Sequence, residues 1–415
     1  MYGQALNALT ENGRGEAVRA LIFNEKNNMR ISNNKKNRII LVALILACML
    51  ATNISFAKEY NIAQHIYKLK TQEELARLND NKIEFDEIDD LVNSYNATVR
   101  NNWNTYDANK DNMDIYNDYY DAYDNLDALA QSADSDVQAA MYRAQADAMK
   151  INADKNVSDS TINFLNYLIV EKNISLATKT LFINVYKYNV NLQIKKAELQ
   201  EAKRQFDSAK LNYEEGNIIR VDYLQALKNW RTAEADVALI SSNITSAKRN
   251  LLLNCGKNIT DNVDIGDVQH IKVEDIQKIN LSDDANKAIE NNYQYDIYKR
   301  QYENSRTQEM QTQNKINMDY APNFIKADVE EKYYALTDAN TALYTYQTAY
   351  EYQEQSRKIA QNEYFQGHIS EKQYNTAVSD AYIASLNALL AQFDLDIAYE
   401  NYKAVVSGLA KAGNN

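Results

Sequence analysis

Two stretches of the chain decide the fold: Ala209-Lys210-Leu211-Asn212-Tyr213-Glu214-Glu215-Gly216-Asn217-Ile218 and Ala360-Gln361-Asn362-Glu363-Tyr364-Phe365-Gln366-Gly367-His368-Ile369. They align without a gap at an offset of 151 residues, and the match runs on through Tyr223/Tyr374, Ala226/Ala377, Ala233/Ala384, Leu239/Leu390, Ala247/Ala398 and Asn250/Asn401. A repeat of that length signals one supersecondary unit used twice. In each copy a helical run enters the glycine and another leaves it, with arms expected over 177–215 and 219–254, then 326–366 and 370–408. An arm of about 40 residues is ~60 Å long at 1.5 Å per residue. Gly216 and Gly367 are the natural left-handed residues to end the first arms. Ser370 with Gln373 reads as a capping box starting the next arm, and Asn217 as its looser equivalent. A turn this short forces the arms antiparallel. Ala226, Ala233 and Ala247 fall at multiples of seven, which describes a narrow seam between closely approaching helices.

Outward from the repeat, composition supports the same reading. The 415 residues include one proline, Pro322, and nine glycines. None lies between Gly15 and Gly216, so tight β-hairpin turns have no supply of the residues they need. The expected fold class is all-α, two repeats of long antiparallel helical hairpins. A net charge of −12 argues against a nucleic-acid phosphate backbone as partner. The 31 tyrosines suit half-wet seams between helices.

Near the start, Lys35, Lys36 and Arg38 precede the apolar run Ile39–Ala51, with Ser55 and Ala57 in small-x-small spacing. This reads as a signal peptide over 29–57, cut after Ala57. An uncleaved anchor is the alternative, although the run is shorter than the roughly 20 residues of a spanning helix. Residues 1–28 are expected to be an upstream start-site extension and not a domain. The remaining divisions are a first helical repeat over 58–258, a linker over 259–280 and a second repeat over 281–415.

The pattern Tyr-x-x-Gly-x-Ile-x(4)-Tyr-x-x-Ala, closing at Gly256 and again at Gly408, resembles the outer-membrane efflux protein (TolC) family. The resemblance implies a subunit of a helical barrel, a homotrimer, with the glycine turns at the mouth where an adaptor (membrane fusion) protein docks. Carried over, Gly216, Asn217, Ile218, Gly367, His368 and Ile369 are the adaptor-docking tips. Asp222 and Gln373 stand at polar positions of the pore mouth. Gln373 and Thr376 replace aspartates found in some members, so an acidic ring is not expected. The family also places two transmembrane strands in each repeat. A spanning strand takes about 9–11 alternating residues. Neither 309–325, with Gln311, Gln313, Asn314, Lys315 and Asn317, nor 101–160, rich in Asp, Asn and Tyr, offers one. The strands are therefore expected to be missing, which suits a bacterium without an outer membrane.

No enzyme active site is legible. Asp107-x-Asn109-x-Asp111 with Asp118 is similar to an EF-hand loop, but Asn112 replaces its glycine, so a solvated acidic helix face is the expected reading. The pairs Glu214/Glu215 and Glu330/Glu331 have no nucleophile, histidine or metal motif beside them. His65, His270 and His368 lie far apart, and no phosphate-binding loop occurs. No metal, cofactor or catalytic residue is assigned. The expected function is a passive, exported conduit of the cell envelope, in the outer membrane if the source has one. It would work with an adaptor and an inner-membrane transporter that supplies the energy. The alternative is a cell-surface coiled-coil scaffold that kept the fold without a channel.

Overall fold

The computed structural model describes residues 58–66 and 70–413. The expected signal peptide and N-terminal extension lie outside the described residues. Each repeat opens with two helices broken at an asparagine. In the first, after α1 (Ile62–Ile66), α2 (Gln72–Leu78) and β1 (Lys82–Ile83), these are α3 (Ile88–Tyr95) and α4 (Ala97–Asn109). A helical hairpin, α5 (Ile115–Gln131) and α6 (Asp136–Lys155), follows, and then the long pair α7 (Ser160–Glu214) and α8 (Arg220–Asn254). Next come β2 (Asp264–Ile265) and α9 (Val273–Gln277), both inside the stretch expected as a linker. The second repeat consists of α10 (Leu281–Asn291), α11 (Tyr293–Asn304), α12 (Gln308–Phe365) and α13 (Glu371–Ala404), closed by a π turn at Val405–Leu409.

The architecture is all-α with long helical hairpins, but the incoming arms are longer than expected. α7 has 55 residues and α12 has 58, against the expected forty or so. The sequence match fades above the repeat, yet both helices continue because nothing stops them before a proper cap. Asp159 caps α7 by accepting the Ile162 N–H at 2.7 Å, and Thr307 caps α12 through the Met310 N–H. Pro322 lies inside α12. Its ring removes the N–H that would bond the Met318 carbonyl, at a cost of about 3 kcal/mol. Burial of Met318, Ala321, Ile325 and Val329 along one face holds the helix across it.

The long helices lie side by side in the order α8, α7, α13, α12. α7 meets α13 through Ile183, Val190, Ile194, Leu386 and Phe393, with Tyr382 donating to Gln193 at 2.9 Å. α8 and α12 are left as the two edges. Beneath α7 a core gathers Ile88, Leu91, Trp103, Tyr106, Phe164 and Leu251. A second, beside α12, gathers Ile325, Val329, Leu336, Leu395 and Tyr402.

The asparagine breaks show that the repeat extends beyond the part legible in sequence. Asn96 caps α4 through the Thr98 and Val99 N–H groups and donates to the Asn254 carbonyl at 3.0 Å. Asn292 caps α11 through the Tyr295 N–H and donates to the Ala410 carbonyl at 2.7 Å. Each thereby ties the start of its repeat to its end. The closing glycines pack at the same two places. A Cβ on Gly256 would lie 2.3 Å from Tyr95 Cβ, and one on Gly408 would lie 2.5 Å from the Asn291 carbonyl oxygen.

The strands among the described residues are two residues long each, a parallel pair of β1 with β2. No described helix is long and apolar enough to cross a membrane. Between the first and second long elements of each repeat, where the resemblance implied strands, the first has the α5/α6 hairpin and the second only Ser305–Thr307. These two features meet. Asp154, at the foot of α6 and 3% exposed, accepts the Arg306 and Thr307 N–H groups at 2.9 and 2.8 Å and the Tyr120 hydroxyl at 2.9 Å. Asn304 donates to Val157 O and Asp159 Oδ2, and Arg300 bonds the same Asp159 oxygen.

Candidate functional site

The two tips are built alike. At the end of α7 the Gly216 N–H bonds the Tyr213 carbonyl at 3.1 Å and the Asn217 N–H bonds the Asn212 carbonyl at 2.7 Å. At the end of α12 the Gly367 N–H bonds Tyr364 at 2.9 Å and the His368 N–H bonds Glu363 at 2.8 Å. Both are Schellman closures, which need a left-handed residue after the helix. Gly216 has φ 78° and Gly367 φ 77°. The outgoing helices start differently. Ser370 and Gln373 form the expected capping box. Asn217 does not cap α8. Its side chain turns back to Glu215 at 2.9 Å, and Ile219 occupies the cap position without a side-chain bond. The closure ends at Asn217, two residues before the cap position, so Asn217 is consumed in the closure.

The repeated tyrosines clamp the turns. Tyr213 stacks on Tyr223 with centroids 5.2 Å apart and planes at 18°. Tyr364 stacks on Tyr374 at 5.2 Å and 8°. One ring comes from each arm, so the spacing in the motif is the spacing that brings rings face to face across a short reversal. Below the first tip Phe206 stacks on Trp230 at 4.9 Å, with Arg231 over the same indole.

Both tips point the same way. On α7 the chain rises from Lys187, paired with Asp394, to Gln193, bonded to Tyr382, while on α13 the partner numbers fall. Helices paired in that sense bring the end of α7 and the start of α13 to one end of the layer. Gly216, Asn217, Gly367 and His368 are exposed there, and Ile218 and Ile369 are half-buried beside them. Asp222 is exposed in the first turn of α8. Gln373 is exposed too, but its carbonyl oxygen accepts the Ser370 N–H at 2.9 Å and is committed to the cap. The largest apolar surfaces at this end are Ile219 at 66%, Val221 at 68% and Phe365 at 74% exposure. These three were not singled out from sequence. Ile219 and Phe365 each adjoin a motif residue, and only the fold shows that they face water while Ile218 and Tyr364 are half-buried.

The remaining candidates serve structure. Asp107 is bonded to Lys110 at 2.7 Å, and the EF-like stretch runs from the end of α4 through a 3₁₀ turn into the first turn of α5, where Asp118 lies. No group of three metal-capable side chains occurs among the described residues. His65, Asn93 and Trp103 converge on Oε2 of buried Glu171 at 3.2, 2.8 and 2.9 Å, fastening residues 58–66 to α7. Burial raises the Glu171 pKa, but the His65 bond, the Lys172 and His65 charges and the Asn93 amide outweigh it and hold the carboxyl at about 2. His270 bonds buried Asp396 at 2.7 Å. Burial pushes the Cys255 thiol up to about 12, so it stays protonated at neutral pH.

No protein-family model matches the sequence. No curated protein is a significant sequence match. Solved structures do match. A membrane protein from Pseudomonas aeruginosa superposes with a TM-score of 0.53 at 11% identity, over 85% of this chain and 96% of that one. The chain shares the fold of that membrane protein. The outer-membrane channel OprN (TM-score 0.47, 9% identity, 85% of this chain and 97% of that one) and the Campylobacter jejuni CmeC outer membrane channel (0.41, 11%, 66% and 69%) also match. In this fold the paired tips and the two unpaired helix edges are the features that a function must use.

Proposed function

We propose that the protein is the TolC-like outer component of an efflux or secretion system, a passive conduit assembled from three chains. The observation that carries this is the four-helix layer with its two open edges. α8 exposes Val221, Leu224 and Leu239, and α12 exposes Tyr334, Tyr344, Tyr352 and Ile359. A layer with one apolar stripe on each of two different edges is complementary head to tail, and such contacts close into rings. Three copies would turn the layer into a tube of twelve long helices, with 58–258 and 281–415 as its two repeats and 259–280 joining them.

Six tips would then ring one mouth. Gly216, Asn217, Ile218, Gly367, His368 and Ile369, together with exposed Ile219, Val221 and Phe365, form the surface for the helical hairpin of an adaptor protein. Asp222 stands beside it. An inner-membrane transporter supplies the energy, and the chain is exported to the cell envelope. Light scattering on the purified protein tests the assembly. A trimer is expected, and Leu239→Asp on one edge should shift the mass to monomer. A wild-type monomer would remove the conduit and leave the scaffold reading in its place.

A further inference from the structure

At the offset of 151 residues α7 corresponds to α12 and α13 to α8. Corresponding positions turned towards the chain's own core are buried in both repeats: Thr178 and Val329 are 0% exposed, and Val185 and Leu336 are 2% and 0% exposed. The register of the repeat therefore holds far above the tips. The positions that α7 and α13 bury against each other behave differently. Ile183, Val190 and Ile194 are buried on α7, whereas Tyr334, Thr341 and Thr345 at the corresponding places on α12 are exposed. Leu386 and Phe393 are buried on α13, whereas Ala235 and Ser242 on α8 are exposed. The two free edges are thus the two halves of the α7–α13 seam, each without its mate.

We propose that the mate is a second copy of this chain, with α12 of one copy seated on α8 of the next in the register in which α7 seats on α13. This rests on the trimeric reading above. Within the chain Tyr382 bonds Gln193, and Lys187 pairs with Asp394. The same register between copies brings Tyr344 to Arg231 and Asp338 to Asn243. A ring meets a guanidinium and a carboxylate meets an amide, so like charges oppose each other at neither place.

The seam between copies differs from the one within the chain in where it is apolar. Far from the tips, threonines stand where α7 has Val190 and Ile194, and their hydroxyls are bonded to their own helix: Thr341 donates to Thr337 O and Thr345 to Thr341 O, at 2.9 and 3.0 Å. Nearer the tips the bias reverses. Tyr352 and Ile359 stand where α7 has Glu201 and Ser208, and Val221 stands where α13 has Lys372. They belong to the same stripe, because Tyr352 follows Tyr334, Ile359 follows Thr341 and Leu239 follows Val221 by 18 residues, about five whole helical turns. All three are exposed. Burying apolar side chains drives association, whereas burying hydroxyls contributes little. The two hairpins of one chain are therefore joined far from their tips, and neighbouring copies grip one another close to theirs.

Cross-linking of the full protein with a short bis-maleimide tests the register, since Cys255 is buried. Within one chain the substituted residues lie on opposite edges of the layer, so any link joins two copies. The chain with Tyr344→Cys and Arg231→Cys should give covalent dimer and trimer on a denaturing gel. The chain with Tyr344→Cys and Ser242→Cys, displaced by ~16 Å along α8, should not. The reverse result, or equal yields, overturns the register. If neither chain links, a trimer by light scattering overturns the register alone, and a monomer removes the conduit with it. Ile359→Asp and Thr341→Asp locate the grip. The first should lower the trimer fraction roughly tenfold at a protein concentration where the second leaves it unchanged, with helical circular dichroism intact in both. Equal loss, loss from neither, or loss from Thr341→Asp alone overturns the grip near the tips.

Discussion

Replacing Asp154 with alanine should loosen the joint between the inserted hairpin and the second repeat more than any other single polar change. The carboxylate accepts two backbone N–H bonds, from Arg306 and Thr307, and the Tyr120 hydroxyl. Burial raises its pKa, yet the bonds from Thr307, Arg306 and Tyr120 outweigh that and the net direction is down. The ionised form is therefore favoured in the folded protein, and its bonds more than offset its desolvation. Bonds to a charged acceptor contribute about 1.5–3 kcal/mol each. Arg306 is exposed, so water can replace part of what it loses, and the low end applies to the two backbone bonds. With about 1 kcal/mol for the hydroxyl, the loss comes to about 4 kcal/mol. Asp154→Asn keeps one carbonyl acceptor and should lose roughly half of that. Because the folded pKa lies below the usual carboxylate value, this stability is present above about pH 4 and is lost as pH falls through the folded pKa. Urea denaturation followed by circular dichroism measures the total, and amide exchange at Arg306 and Thr307 localises it. A loss below about 1 kcal/mol with exchange unchanged would refute the claim that this carboxylate holds the joint.

Glu171 should impose a second acid limit. Its depressed pKa contributes stability that is complete above the unfolded value near 4.5 and is lost as pH falls through about 2. In Glu171→Gln that segment of the pH–stability curve should flatten, read as limited proteolysis of residues 58–66. The glycines should separate by cause. Gly367→Ala meets no atom within 4 Å and pays only for its positive φ, about 1–2 kcal/mol. Gly256→Ala adds a clash 2.3 Å from Tyr95 Cβ and should cost at least twice as much in denaturation midpoint.

Which parts were legible follows from which interactions are local. Schellman closures, capping boxes and rings stacked across a reversal involve residues within a few turns of one another, so Tyr213, Gly216 and Tyr223 and their counterparts Tyr364, Gly367 and Tyr374 announce the hairpins. The lack of glycine and proline between Gly15 and Gly216 likewise announces helix and no spanning strand. Asn217 misled because a cap is chosen by backbone position, and the closure had already used that residue.

The amino-acid order alone thus determined two long hairpins, their tips and their helical class, because periodicity and turn chemistry are short-range. Tertiary structure alone decided the layer order α8, α7, α13, α12, the deeper repeat tied by Asn96 and Asn292, and the Asp154 joint. Each of those is made by groups far apart along the chain, whose meeting depends on how the helices pack and leaves no local pattern to read.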